Sequence, residues 1–182
     1  MKPVTCIGDI ILTQKKDSFI GRFIRRFSTM PNEKPAKVEH VALGLNDGSL
    51  IEATFKGIKI GSVGKYSQKK YRIKIVRPWV LTTREQYSIL KKANKYINKK
   101  YGFGRIAAHA GDWFLSKFRG REIRFFRKKL SEKDYPICSW FVAWAYEAVG
   151  VDFGMDKKYV QPDDIDRYVT NEGWNIIYNT LK

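Results

Sequence analysis

The chain has 182 residues, 43% of them hydrophobic, which suits one domain with a sizeable core and excludes a disordered composition. Its 35 Lys and Arg against 18 Asp and Glu give a formal charge of +17, which points to an anionic partner such as nucleic acid, anionic lipid or an acidic cell-envelope polymer. Two cysteines are too few for a disulfide scaffold, no apolar h-region follows Met1, and no run approaches the ~18 to 20 apolar residues of a membrane span, so the expectation is a cytoplasmic protein, or one peripheral to membrane or envelope.

Residues 4–13 read as a buried strand, densest at Ile10-Ile11-Leu12. Over 17–27, Phe19, Ile20, Phe23, Ile24 and Phe27 recur at helical spacing with Arg22, Arg25 and Arg26 opposite, the pattern of an amphipathic helix with a solvated basic face. Pro31 and Pro35 mark 29–37 as a turn-rich connection. Residues 38–45 and 49–55 then form a hairpin about Asn46-Asp47-Gly48.

The length of that turn decides the chemistry. Side chains alternate faces along a strand, so a two-residue loop at Asp47-Gly48 would put His40 and Glu52 on opposite faces. A three-residue loop pairs 45 with 49 and 42 with 52, placing both on one face and diagonally adjacent. Gly48 suits the left-handed bulge position of such a loop, and the longer turn is therefore expected.

Strands follow at 58–61 and 71–77. Thr82 or Thr83 can cap a helix over 84–99, with Tyr87, Leu90, Lys91, Asn94 and Ile97 near one stripe. A second helix is expected at 105–118, followed by a run, 117–129, that is basic and aromatic together. The helix opened by Cys138 extends to about Val149, where Gly150 can end it. A short helix at 163–168 and a last strand at 174–178 complete the chain.

Cys138 is the candidate nucleophile because the first turn of a helix stabilises an anion and a nearby imidazole lowers a thiol's pKa. His40 is the candidate base, with His109, in the 105–118 helix, in reserve; Glu52 would orient the imidazole, as the third member of a triad does. Each has a plain alternative: Cys138 as a small core residue, His40 as a hydrogen-bonded strand histidine, Glu52 as a strand-edge carboxylate in water. Two histidines and two cysteines dispersed in this way give no zinc spacing, and neither metal nor cofactor is expected.

Gly8-Asp9-Ile10-Ile11, Glu39-His40-Val41-Ala42-Leu43-Gly44, Ile51-Glu52-Ala53, Lys100-Tyr101-Gly102, Ile137-Cys138-Ser139 and Gln161-Pro162-Asp163-Asp164-Ile165 follow one another over residues 4–168. In this order they resemble the NlpC-type papain-like cysteine hydrolases, in the circularly permuted branch that includes YiiX-like bacterial proteins and is related to lecithin:retinol acyltransferases. The resemblance implies an α+β fold over 1–182, with a central antiparallel sheet or barrel packed against the helix that carries the nucleophile, and a basic, aromatic insertion at about 105–134. It also implies Cys138 as nucleophile, His40 as general base and Glu52 as its orienting partner. Tyr101 resembles the family tyrosine whose hydroxyl helps the Cys138 N–H bind an oxyanion, with a packed aromatic as the alternative. Ser139 and Trp140, adjoining the nucleophile, are assigned to substrate binding, although Trp140 stands where many permuted members carry an acidic residue.

The expected activity is that of a cysteine hydrolase or acyltransferase, of the amidase or peptidase type, working through a thioester acyl-enzyme on an amide or ester bond of a cell-wall peptide or a lipid. The positive charge would suit an anionic wall polymer or phospholipid. A non-catalytic binder of nucleic acid or anionic membrane on the same scaffold ranks second.

Overall fold

A computed structural model of the chain describes residues 4–27, 36–78, 81–100, 103–119, 125, 137–157 and 159–181. Six strands are described: β1 (Ile10–Lys15), β2 (His40–Gly44), β3 (Ser49–Thr54), β4 (Gly57–Ser62), β5 (Tyr71–Arg77) and β6 (Asn175–Asn179). They form one antiparallel sheet in the order β4-β3-β2-β1-β5-β6. The helices described with it are α1 (Phe19–Phe27), α2 (Thr83–Asn94), α3 (Phe103–Arg119), α4 (Cys138–Tyr146) and α5 (Pro162–Asn171). The protein is thus an α+β structure with an open antiparallel sheet covered by helices. Among the described residues no helix is long and apolar enough to cross a membrane.

Strand alternation divides the core in two. Ile10, Leu12, Val41, Leu43, Ile51, Ala53 and Val76 meet Ile89 and Ala93 of α2, most of α4, and Ile165 and Val169 of α5. Ile11, Ala42, Leu50, Ile73 and Ile75 point the other way, where Val63 and Tyr66, from a short 3-10 turn over Val63–Ser67, cover them. Helix α4 is buried on nearly every side, which accounts for its almost unbroken apolar sequence.

The hairpin has the three-residue turn. Leu43 pairs with Ile51 and Gly44 with Leu50, and the Leu45 N–H donates to Ser49 O across the loop. Asp47 and Gly48 both take left-handed backbone angles (φ 59° and 73°), which closes the turn in this length. Thr82 caps α2 as expected, in a reciprocal capping box with Glu85, and Gly150 follows the last turn after α4 with φ 79°.

Two expectations are corrected. The first strand begins at Ile10, not Val4, because Gly8 turns the chain at φ 91° and Asp9 closes that turn through its carboxylate and the Cys6 N–H (2.8 Å). Asp9 itself is fully buried and held by a two-pronged bond from Arg77, Nε to Oδ1 at 2.8 Å and Nη2 to Oδ2 at 2.9 Å. Helix α2 ends at Asn94 and buries Ile89 and Ala93, whereas Tyr87 of the expected stripe is 64% exposed. It stops early because the following chain folds back on the outer edge of β4, with Asn98 N–H donating to Ile58 O and Ile58 N–H to Lys99 O. The end of the Cys138 helix tightens into a 3-10 turn over Glu147–Val149.

Candidate active site

His40 opens β2 and Cys138 opens α4, so both stand at the ends of their elements. By alternation His40 shares the Glu52 face of the sheet while α4 lies on the opposite face. Only at a strand end can a side chain on one face reach a helix packed on the other. The hairpin register then sets Glu52 diagonally behind His40, and His40 Nε2 lies 3.2 Å from Glu52 Oε2. With Nε2 so engaged, Nδ1 is the nitrogen left to face the Cys138 sulfur, whose charge acts on the ring.

The sulfur also receives the backbone N–H groups of Val41 and Ser139. Ile137, at the N-cap, offers no side-chain acceptor, which leaves the first-turn N–H groups of α4 to the sulfur and to whatever binds beside it. Burial pushes the Cys138 thiol up, but the imidazolium and these hydrogen bonds outweigh it and the pKa is lowered. Burial likewise pushes His40 down; the facing sulfur, and then Glu52, overcome it and raise the imidazole to about 9. Each group thus favours the charged form of the other, a thiolate beside an imidazolium.

Glu52 is 2% exposed and still charged. Burial raises its pKa, yet His40 and then Lys65 bring it to about 2. Its Oε1 pairs with Lys65 Nζ, and Oε2 accepts from Tyr66 OH at 2.8 Å as well as facing His40. Three partners fix the carboxylate from different sides, so the imidazole is held in one orientation.

A cavity of about 330 Å³ opens on this group, and Cys138, His40 and Glu52 all line it. Thr13, Ile24, Ala53, Phe55 and Tyr71 form much of its wall, with Lys15 and Lys65 contributing cations. Cys138 is 5% exposed as a residue, and it lines this cavity. Glu39 forms another side: it accepts from Lys15 N–H at 2.8 Å and pairs with Arg25, so it fastens α1 over the cavity. Burial raises the Glu39 pKa. Gly21 makes this approach feasible, since a Cβ there would collide with the Glu39 carboxylate. Arg25 therefore turns inward to a carboxylate, against the expectation that all three α1 arginines would be solvated; Arg22 is exposed.

The remaining expected site residues stand elsewhere. The Ser139 side chain is fully buried and donates to Val160 O at 2.7 Å, so only its backbone faces the sulfur. Trp140 is 3% exposed, edge-on to Tyr96 and stacked on Trp144, and neither Ser139 nor Trp140 lines the cavity. Both are buried because α4 has no open face: positions two and three of the helix point into its supports. Tyr101 lies outside the described residues, as does the side chain of His109, whose backbone belongs to α3. Of the basic run 117–129, only Lys117, Phe118, Arg119 and Phe125 are described, all exposed.

Lys65, Tyr66 and Glu39 were not legible as site residues. Lys65 and Tyr66 sit in a turn that the sequence leaves as a bare connection, 13 and 14 positions from Glu52, a separation no periodicity marks. Among the described residues no group of His, Cys, Asp and Glu has the arrangement of a metal site.

The mutual support of sulfur and imidazole gives an expected result. Because the sulfur is the largest contribution raising His40, Cys138→Ser should lower the imidazole pKa from about 9, as read by NMR titration of the ring. An unchanged titration would mean that the two groups do not interact. Comparisons with protein-family models, with curated proteins and with solved structures find no match to this chain.

Proposed function

We propose that the protein is a cysteine-dependent acyl-transfer enzyme, a hydrolase or acyltransferase acting on an amide or ester bond. The observation that carries this reading is the line Cys138–His40–Glu52 opening on one cavity, with the thiol pKa lowered and the imidazole raised. The finer fold assignment, a circularly permuted papain-like domain, is part of the same proposal. It is supported by the histidine strand preceding the cysteine helix, and by that helix packing on an antiparallel sheet.

In the proposed reaction the Cys138 thiolate attacks the carbonyl carbon, and the carbonyl π electrons move to oxygen. First-turn N–H groups of α4 face the oxyanion. Collapse of the adduct breaks the bond to the amine or alcohol leaving group, which takes the proton from His40. Neutral His40 then removes a proton from water or another acceptor, which attacks the thioester. The acyl product leaves and the thiolate–imidazolium pair returns. Glu52 holds the ring and stabilises its positive charge.

Of the two cations on the cavity wall, Lys65 is taken up by Glu52, so Lys15 beside an apolar wall is what supports a substrate with a negative charge close to the scissile acyl group. A peptide amide of a cell-wall polymer and an acyl ester of a phospholipid both have this form. Intact-mass detection of an acyl adduct on Cys138, after separate incubation with wall fragments and with phospholipids, tests the proposal. An adduct from one class names the substrate; no adduct from either, with the thiol intact, would count against the enzyme.

The pH dependence is also set. His40 must be protonated to release the leaving group, so turnover should fall as pH rises through about 9, while alkylation of Cys138 continues because the sulfur remains anionic. A parallel loss of both would contradict separate roles for the two groups.

A further inference from the structure

Over residues 112–118, helix α3 is amphipathic in the wrong sense for a helix that faces water. Asp112 and Ser116, one turn apart, are buried at 0% and 3% exposure, with Ser116 Oγ donating to Asp112 O at 2.8 Å. Phe114 and Phe118, also one turn apart, are 56% and 75% exposed. The polar stripe points inward and the aromatic stripe outward, opposite to the arrangement that burial of apolar area favours in water.

The surroundings of those rings are cationic. Lys117 and Arg119 are exposed next to Phe118, and Arg22 is exposed on α1, which contacts α3. Arg26 of α1 lies over the Trp113 ring at 5.4 Å and Lys117 over the same ring at 5.9 Å, so the two helices share one basic, aromatic surface. The whole chain carries +17. Protruding Phe side chains set among Lys and Arg are what a helix needs to lie in the interface of an anionic bilayer, rings among acyl chains and cations at the headgroups.

We propose that the outer face of α3, with the basic edge of α1, docks on an anionic phospholipid surface. The ring geometry favours lipid over nucleic acid. Phe114 and Phe118 lie 5.2 Å apart at 59°, tilted against each other, so they form a wedge and do not offer parallel open faces on which successive bases could stack. Since α1 also lines the catalytic cavity through Gly21 and Ile24, docking would hold the mouth of that cavity beside the headgroup layer. The docking does not depend on the acyl-transfer reading, because sedimentation detects no chemistry.

The test is co-sedimentation of the full chain with vesicles of phosphatidylcholine alone, and of phosphatidylcholine and phosphatidylglycerol in equal parts, with and without added salt. Binding to the anionic vesicles, weakened by salt and reduced more than about tenfold by Phe114→Ser with Phe118→Ser, is expected. Phe118→Ser alone, at the more exposed position, should shift binding in the same direction and covers any folding defect of the double variant. The proposal is overturned by absence of binding to anionic vesicles, or by affinity that both Phe variants leave unchanged. It is equally overturned if a single-stranded oligonucleotide binds more tightly than the vesicles and loses that affinity with the same substitutions.

Discussion

His40→Ala is expected to slow alkylation of Cys138 by iodoacetamide at pH 7 by on the order of 100-fold, and to leave Cys6 unchanged. In the intact site the imidazolium is the largest influence holding the thiol pKa down against burial. Without it, burial dominates, the sulfur is protonated at neutral pH, and the reactive thiolate becomes a minor species. Raising the pH should restore much of the rate in the variant, since the thiol then ionises unaided. Cys6 serves as the internal reference: it is half-buried and lies near the opposite end of β1 from the Thr13–His40 pairing. Equal labelling of Cys138 in both proteins would show that sulfur and ring do not form a pair, and the proposed chemistry would go with it.

On the proposed acyl-transfer reading, Glu52→Gln should lower turnover by roughly 100- to 10,000-fold while Cys138 remains alkylatable, because the amide neither stabilises the imidazolium nor fixes the ring in one tautomer. The same change alters stability in acid. Glu52 has its folded pKa depressed from 4.5 to about 2, so its contribution is fully present above pH 4.5 and is lost as pH falls through about 2. Denaturation curves across that window should therefore flatten in the Gln variant. Loss of the Lys65 pairing costs less, since the Lys65 side chain is 39% exposed and water can take over its solvation. Turnover within a factor of two of the parent would remove Glu52 from the reaction.

The hairpin, and with it the His40–Glu52 pair, was readable in the sequence because one local choice, the turn at Asn46–Gly48, fixes both register and face. Thr82 and Gly150 were readable for the same reason: caps act within a few residues of themselves. Features decided by distant contacts were not. The stripe read on α2 put Tyr87 inward, whereas tertiary contacts turned Ile89 and Ala93 to the core. The strand start was misplaced because apolar density at Val4 and Ile7 does not reveal that Gly8 takes a left-handed turn. Lys65 and Tyr66 reach Glu52 only because β4 returns alongside β3, and Arg25 leaves solvent only because Glu39 is there to receive it. The side chains of Ser139 and Trp140 turn away from the Cys138 sulfur, since successive helical residues point about 100° apart.

The short turn between β2 and β3 has a further consequence for how this chain can diverge. A one-residue slip of the pairing there would keep the composition and still form a hairpin, yet would turn one strand over relative to its neighbour. The carboxylate would then look into the helix side of the sheet and the ring would lose its support. The loop residues can change identity so long as positions 47 and 48 tolerate a left-handed backbone, whereas a one-residue slip in the pairing of Gly44 with Leu50 would part the ring from its carboxylate.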